Sequence, residues 1–205
     1  MMKRRHFAAL AGAALAAPAV LAQDRTLRIW VGFPPGGSAD VIARLLAQLP
    51  GYVATVTSRR FPESDARHDF VWIHLFAEGE LTVPLQSGGS VTLRMTTRYP
   101  WDGDVAIAVA PETAGTFTIN VRIPGWARNE AVPSALYRFL DTAPTARVSV
   151  NGSAVPLALE KGYVAITREW RKGDEISLSL PMPVRRVVAD DRVEADRGRV
   201  ALQRG

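Results

Sequence analysis

Asn151-Gly152 stands between two segments of alternating apolar and polar side chains, "ARVSV" and "AVPLALE". That dipeptide is the strongest short signal for a two-residue hairpin, because both positions tolerate the positive φ of a type I′ turn. The arrangement recurs along most of the chain. Segments at 70–77, 80–86, 90–99, 104–110 and 116–123, and again at 146–150, 154–160, 163–170, 175–181 and 183–189, read as strands. Turn residues separate them at Ser87-Gly88-Gly89, Asp102-Gly103-Asp104, Lys161-Gly162 and Lys172-Gly173-Asp174. In "TFTINVRI", Phe117, Ile119, Val121 and Ile123 share one face and Thr118, Asn120 and Arg122 the other, which predicts a half-buried antiparallel strand. Many short strands at this spacing predict a mainly β fold, an antiparallel β-sandwich over residues 70–205.

The region ahead of the strands reads differently. Residues 1–22 have a basic start, "MMKRRHF", an apolar run and a Val20/Ala22 cleavage pattern, which predicts an export signal. The pair Arg4-Arg5 gives it a twin-arginine character, and either export route predicts a periplasmic or secreted bacterial protein. Its apolar run is short against the roughly 20 residues of a membrane span, so no span is expected after signal removal. Residues 23–50 predict one strand-turn-helix unit: "RTLRIWVGF", the "PPGGS" break, and "ADVIARLLAQL" with Val41, Ile42, Leu45, Leu46 and Leu49 at helical spacing. The unit does not recur, so it does not announce a parallel α/β domain. Residues 51–69, with the polar "SRRFPESDARHD", predict a linker or long loop.

The formal charge of +5 includes Lys3, Arg4 and Arg5 of the signal; without them 22 basic residues face 20 acidic ones. A scattered excess of about two charges does not predict a nucleic-acid partner. The chain has no cysteine, so it holds no disulfide, no thiol nucleophile and no thiolate metal ligand.

Candidate chemistry is sparse. His68 and His74 with Asp65 or Asp69 would make a thin metal site, and the bland reading as surface or edge histidines is preferred. Glu78/Glu80 and Asp102/Asp104 could be drafted as a glycosidase acid/base pair, but both flank turn glycines, where carboxylates solvate and cap amides. No catalytic residue, metal ligand or cofactor is therefore assigned. The turn Pro35-Gly36-Gly37-Ser38 is the best local candidate for a ligand. Its bare backbone N–H groups and the helix start that follows suit a carboxylate or phosphate, and a tight turn without a ligand explains it equally well. Trp101 in "YPWDG" and Trp126 in "RIPGW" lie at strand ends, where a large ring plugs the sandwich, docks a neighbouring domain or stacks on a sugar.

Two resemblances meet in the chain. Residues 1 to about 48, with "GFPPGGSAD", look like the start of the Bug (tripartite tricarboxylate transporter) periplasmic binding proteins, which implies small-carboxylate binding through that turn. From about residue 43 onward the text resembles glycoside hydrolase family 127, of the β-L-arabinofuranosidase type, in "ARLLAQLPGY", "VWIHLFAEGELTVPL", "YPWDGDV", "RIPGWARNE", "VPSALYRFLDTA" and "GYVAITREWRKGDEISLSLPMPVRRV". That resemblance implies a β-sandwich beside an (α/α)6 catalytic barrel. It also implies a cysteine nucleophile and a zinc held by cysteines plus a glutamate. Where the family carries a Cys-Cys-Pro-Pro-Asn-like motif, this chain has Phe33-Pro34-Pro35-Gly36-Gly37, and "RVALQRG" stops where the family's strand runs on. The expectation is an incomplete sandwich without the barrel, inactive alone, with a catalytic (α/α)6 domain or a carbohydrate as partner. The rival expectation is a periplasmic binding module for a small carboxylate or a carbohydrate.

Overall fold

A computed structural model describes residues 52–61 and 67–205. The expected signal peptide, the expected strand-turn-helix unit and the Pro35–Ser38 candidate turn lie outside these residues. Among the described residues, fourteen strands form three sheets. The first sheet contains β1 (Ala54–Arg60), β2 (Arg67–Ile73), β6 (Gly115–Arg122), β11 (Tyr163–Trp170) and β10 (Leu159–Glu160), in that spatial order. The second runs β3 (Gly79–Pro84), β4 (Ser90–Thr97), β5 (Asp104–Pro111), β12 (Asp174–Ser179), β8 (Arg147–Val150), β9 (Ser153–Val155). A small third sheet joins β14 (Val200–Arg204), β13 (Val184–Ala189) and β7 (Tyr137–Phe139). No helix among the described residues is long and apolar enough to cross a membrane.

The first two sheets share one core, as the mainly β sandwich reading expects. Ile73, Ile119 and Ile166 come from one sheet and Leu93, Ile107 and Ile176 from the other, all in a single buried cluster. Trp170 is fully buried and its Nε1 donates to the Phe117 carbonyl at 3.0 Å, so its one polar atom is satisfied inside the core. The hairpins close as the turn chemistry predicts. Asn151 and Gly152 adopt φ of 50° and 80°, and Lys161 and Gly162 adopt 50° and 86°. Both pairs have the left-handed conformation that a tight hairpin requires.

Three expectations need correction. The stretch 51–69 was expected to be a linker, but Ala54–Arg60 is a strand paired residue for residue with β2. Its polar "SRR" reads as loop because β1 is an edge strand, where charges keep other chains from adding on. Thr118 and Asn120 were placed on a solvent face, yet both are buried. β6 lies between β2 and β11, whose side chains close over its outer face. The segment 154–160 divides at Pro156, which has no N–H for a ladder, and β9 and β10 fall in different sheets. Within the otherwise antiparallel sheets, one pairing is parallel. β2 lies parallel to β6 because the chain reverses through β3, β4 and β5 of the other sheet before returning beside it.

Replacing Ile119, fully buried at the centre of the first sheet, by alanine is expected to lower the unfolding free energy by about 2–5 kcal/mol. Chemical denaturation of the variant beside the parent measures it.

Candidate functional site

The loops at one end of the sandwich are tied to one another. β2 and β6 finish there, since they are parallel, and β1 begins there, since it is antiparallel to β2. The Val53 carbonyl accepts the N–H groups of His74 and Leu75, and Ile123 N–H donates to the Gly162 carbonyl at 2.8 Å. Phe76 meets Tyr99 edge-on, 5.7 Å between ring centroids, which attaches the 98–103 loop to the same end. Trp101 on that loop is 77% exposed. Trp126 follows β6 on the short 3-10 turn Gly125–Arg128, where it is half-buried against the core cluster. Both tryptophans therefore sit at one end, in different surroundings.

Trp126 is held by an arginine knot. Arg185 is 5% exposed, and its guanidinium lies 3.4 Å from the Phe139 ring centroid. It donates to the Trp126 carbonyl, to Asn129 Oδ1 and to the Asp141 carbonyl. Burial lowers its pKa and the nearby Asp141 charge opposes that shift. The Asp141 carboxylate in turn takes Arg186 Nη2 at 2.6 Å and the Arg186 N–H at 2.8 Å, which hold its pKa down to about 2. These bonds fix loop positions.

The histidines do not converge on a metal. His68 and His74 lie six residues apart along one extended segment, a separation of about 20 Å at ~3.3 Å per residue. His68 Nε2 is 2.8 Å from Thr118 Oγ1, and Thr118 Oγ1 is 2.7 Å from Thr167 Oγ1. His74 lies 2.8 Å from Thr55 Oγ1 and 2.7 Å from the Tyr163 hydroxyl. Burial, and then the charge of Arg122, lower its pKa. Asp69 points to the opposite face, where it is almost fully buried, and Asp65 is outside the described residues. Among the described residues no three His, Asp or Glu side chains are grouped as metal ligands. The acidic pairs are split as well: Glu80 is bound to Arg94 and Asp102 to Arg98, each at 2.6 Å.

What sequence reasoning missed is the outer face of the first sheet. Trp72 and Tyr163 stand on β2 and β11 with β6 between them, yet their rings meet at 5.2 Å. They arch over Asn120, whose Nδ2 is buried with no hydrogen-bond partner among the described residues. The alternation of "HDFVWIH" carries the signal, since His68, Phe70, Trp72 and His74 fall on one face and Asp69, Val71 and Ile73 on the other.

Comparison with known proteins places these loops and sheets. The family description "Beta-L-arabinofuranosidase, GH127 middle domain" matches residues 70–182. The chain belongs to glycoside hydrolase family 127. A Bifidobacterium longum non-reducing end beta-L-arabinofuranosidase is 30% identical over 167 residues, which are 80% of this chain and 21% of that enzyme. A solved GH127 beta-arabinofuranosidase superposes with a TM-score of 0.70 at 34% identity, covering 82% of this chain and 24% of its own. The GH127 beta-L-arabinofuranosidase of Geobacillus stearothermophilus T6 gives 0.62 at 34% identity, covering 82% and 22%. The chain thus spans between a fifth and a quarter of the length of these GH127 relatives.

Asp69 supplies a stability prediction for the family scaffold. Burial pushes its carboxyl pKa up, but the Ser87 hydroxyl and N–H, Ser58 and the Gln86 N–H outweigh that and hold it below the usual 3.8. A lowered folded pKa stabilises the fold above that value, and the contribution is lost as pH falls through the folded pKa. Asp69→Asn is expected to cost about 1–3 kcal/mol at neutral pH. It is also expected to flatten the acid limb of stability against pH, which urea melts between neutral and acid pH measure.

Proposed function

We propose that this chain is the sandwich portion of a GH127-type β-L-arabinofuranosidase and has no glycosidase activity by itself. The observation that carries the reading is the combination of a match to the family's middle domain with a sequence that contains no cysteine. The resemblance implies thiolate chemistry and a zinc held by cysteines and a glutamate. The residues present do not fit that group: the chain offers no thiolate, and among the described residues no three His, Asp or Glu side chains are grouped as metal ligands.

On this reading hydrolysis belongs to a cysteine-containing (α/α)6 barrel, and the sandwich is its accessory partner. The share of each relative left unmatched, about three quarters or more, supports a partner of that size. The twin-arginine-like start at residues 1–22 adds that the chain is exported to the periplasm or beyond, and 23–50 is read as a Bug-like leader. The mass of the mature amino terminus from the native host tests that part, with cleavage expected after Ala22.

Purified chain incubated with a β-L-arabinofuranoside is expected to release no arabinose above the buffer blank. Release that persists in the presence of a chelator and a thiol blocker overturns the reading.

A further inference from the structure

We infer that the outer face of the first sheet, at the corner formed by Trp72 and Tyr163 over Asn120, is a binding site for a neutral sugar ring. Such a site goes beyond the accessory role proposed above, because it does not depend on where hydrolysis takes place.

Strand register lays the corner out as a small grid. Trp72, Asn120 and Ala165 lie side by side on β2, β6 and β11, and Arg122, Tyr163 and Glu160 follow one another in the next row across β6, β11 and β10. Trp72 and Tyr163 are half-buried, and their rings stand at 88° with 5.2 Å between centroids. Trp72 Nε1 donates to Thr57 Oγ1 at 2.9 Å, and the Tyr163 hydroxyl lies 2.7 Å from His74 Nδ1. Both rings are therefore oriented in the empty protein, one as a platform and the other as a wall. A sugar ring carries C–H groups on its faces and hydroxyls round its edge, so it stacks on an indole while its edge forms hydrogen bonds.

The polar half of that match is Asn120. It is 4% exposed, and its Nδ2 is buried with no hydrogen-bond partner among the described residues. An orphaned buried donor costs about 1–3 kcal/mol. Other buried polar groups of this sandwich escape that cost, since Trp170 Nε1 has the Phe117 carbonyl and Asp69 has Ser87. Ala165, beside Asn120 on β11, is exposed and carries only a methyl group, which leaves that flank open. A sugar hydroxyl entering over Ala165 supplies the missing acceptor once the Tyr163 ring tilts off the amide. Arg122 and Glu160, both exposed, add a donor and an acceptor at the rim. Their charges are opposite, which favours a neutral ligand over an anionic one.

The test titrates the full chain with methyl β-L-arabinofuranoside and, separately, with maltotriose, and follows the tryptophan indole N–H resonances by NMR. The Trp72 resonance is expected to shift with at least one of them, with a Kd on the order of millimolar, as suits a single stacked ring. Asn120→Leu is expected to melt at or above the parent's temperature, because no donor is then orphaned, and to bind at least tenfold more weakly. Ala165→Trp, at an exposed position, is expected to melt with the parent and to bind at least tenfold more weakly by filling the open flank. Trp101→Ser, on the exposed 98–103 loop, is expected to bind as the parent does. Binding undiminished in either Asn120→Leu or Ala165→Trp overturns the site, as does a shift confined to the Trp101 resonance. Absence of any shift with both sugars at about a hundred times a millimolar Kd overturns it as well.

Discussion

Water is excluded between the inner faces of the five- and six-stranded sheets, and the chain has no disulfide to reinforce that exclusion. The core is built from alternate positions of strands in both sheets, so each strand's register is set by which of its faces must be dry. Trp170 shows how strict the demand is: its ring fills the core, and its one donor is matched by a backbone carbonyl on the neighbouring strand. Asp69 is the polar counterpart, a nearly buried carboxylate kept charged by the turn it organises.

The loop end follows from the same constraint. Because the chain passes from β2 through three strands of the opposite sheet before β6, the ends of β2 and β6 coincide. The loop leaving β2 is bonded to Val53 at the start of β1, and the loop leaving β6 to Gly162 in the turn before β11. Arg185, buried and spread over three backbone or amide oxygens and the Phe139 ring, joins the third sheet to the 3-10 turn. An arginine so used is a brace. The outer face of the first sheet is organised in the same spirit, with its histidines bonded to threonine and tyrosine hydroxyls. Family membership agrees with this picture, since the match is to a middle domain and to a minor fraction of each relative's length.

Period-two alternation and turn chemistry made most strands legible, and the Asn151-Gly152 and Lys161-Gly162 hairpins form where those dipeptides stand. β1 escaped because an edge strand carries charge that reads as loop, and β7 because three residues are too few to show a period. For the candidate site, Trp101 and Trp126 were both legible as strand-end aromatics, but their surroundings were not. One packs on the core beside Arg185, contributed from fifty-nine positions later in the chain, and the other stays in solvent. The Pro35–Ser38 turn remains a reading of sequence, outside the described residues.

Taken alone, the residue order determined that this would be a β protein with tight hairpins and that no thiol chemistry could occur on it, because alternation, turn dipeptides and the absence of cysteine are local properties. Tertiary structure decided which polar residues are buried, which strands lie at edges, that β2 and β6 run parallel, and which tryptophan is left exposed. Those outcomes depend on what packs against each side chain from distant parts of the chain, and no local pattern encodes a neighbour that arrives only when the sheets close on one another.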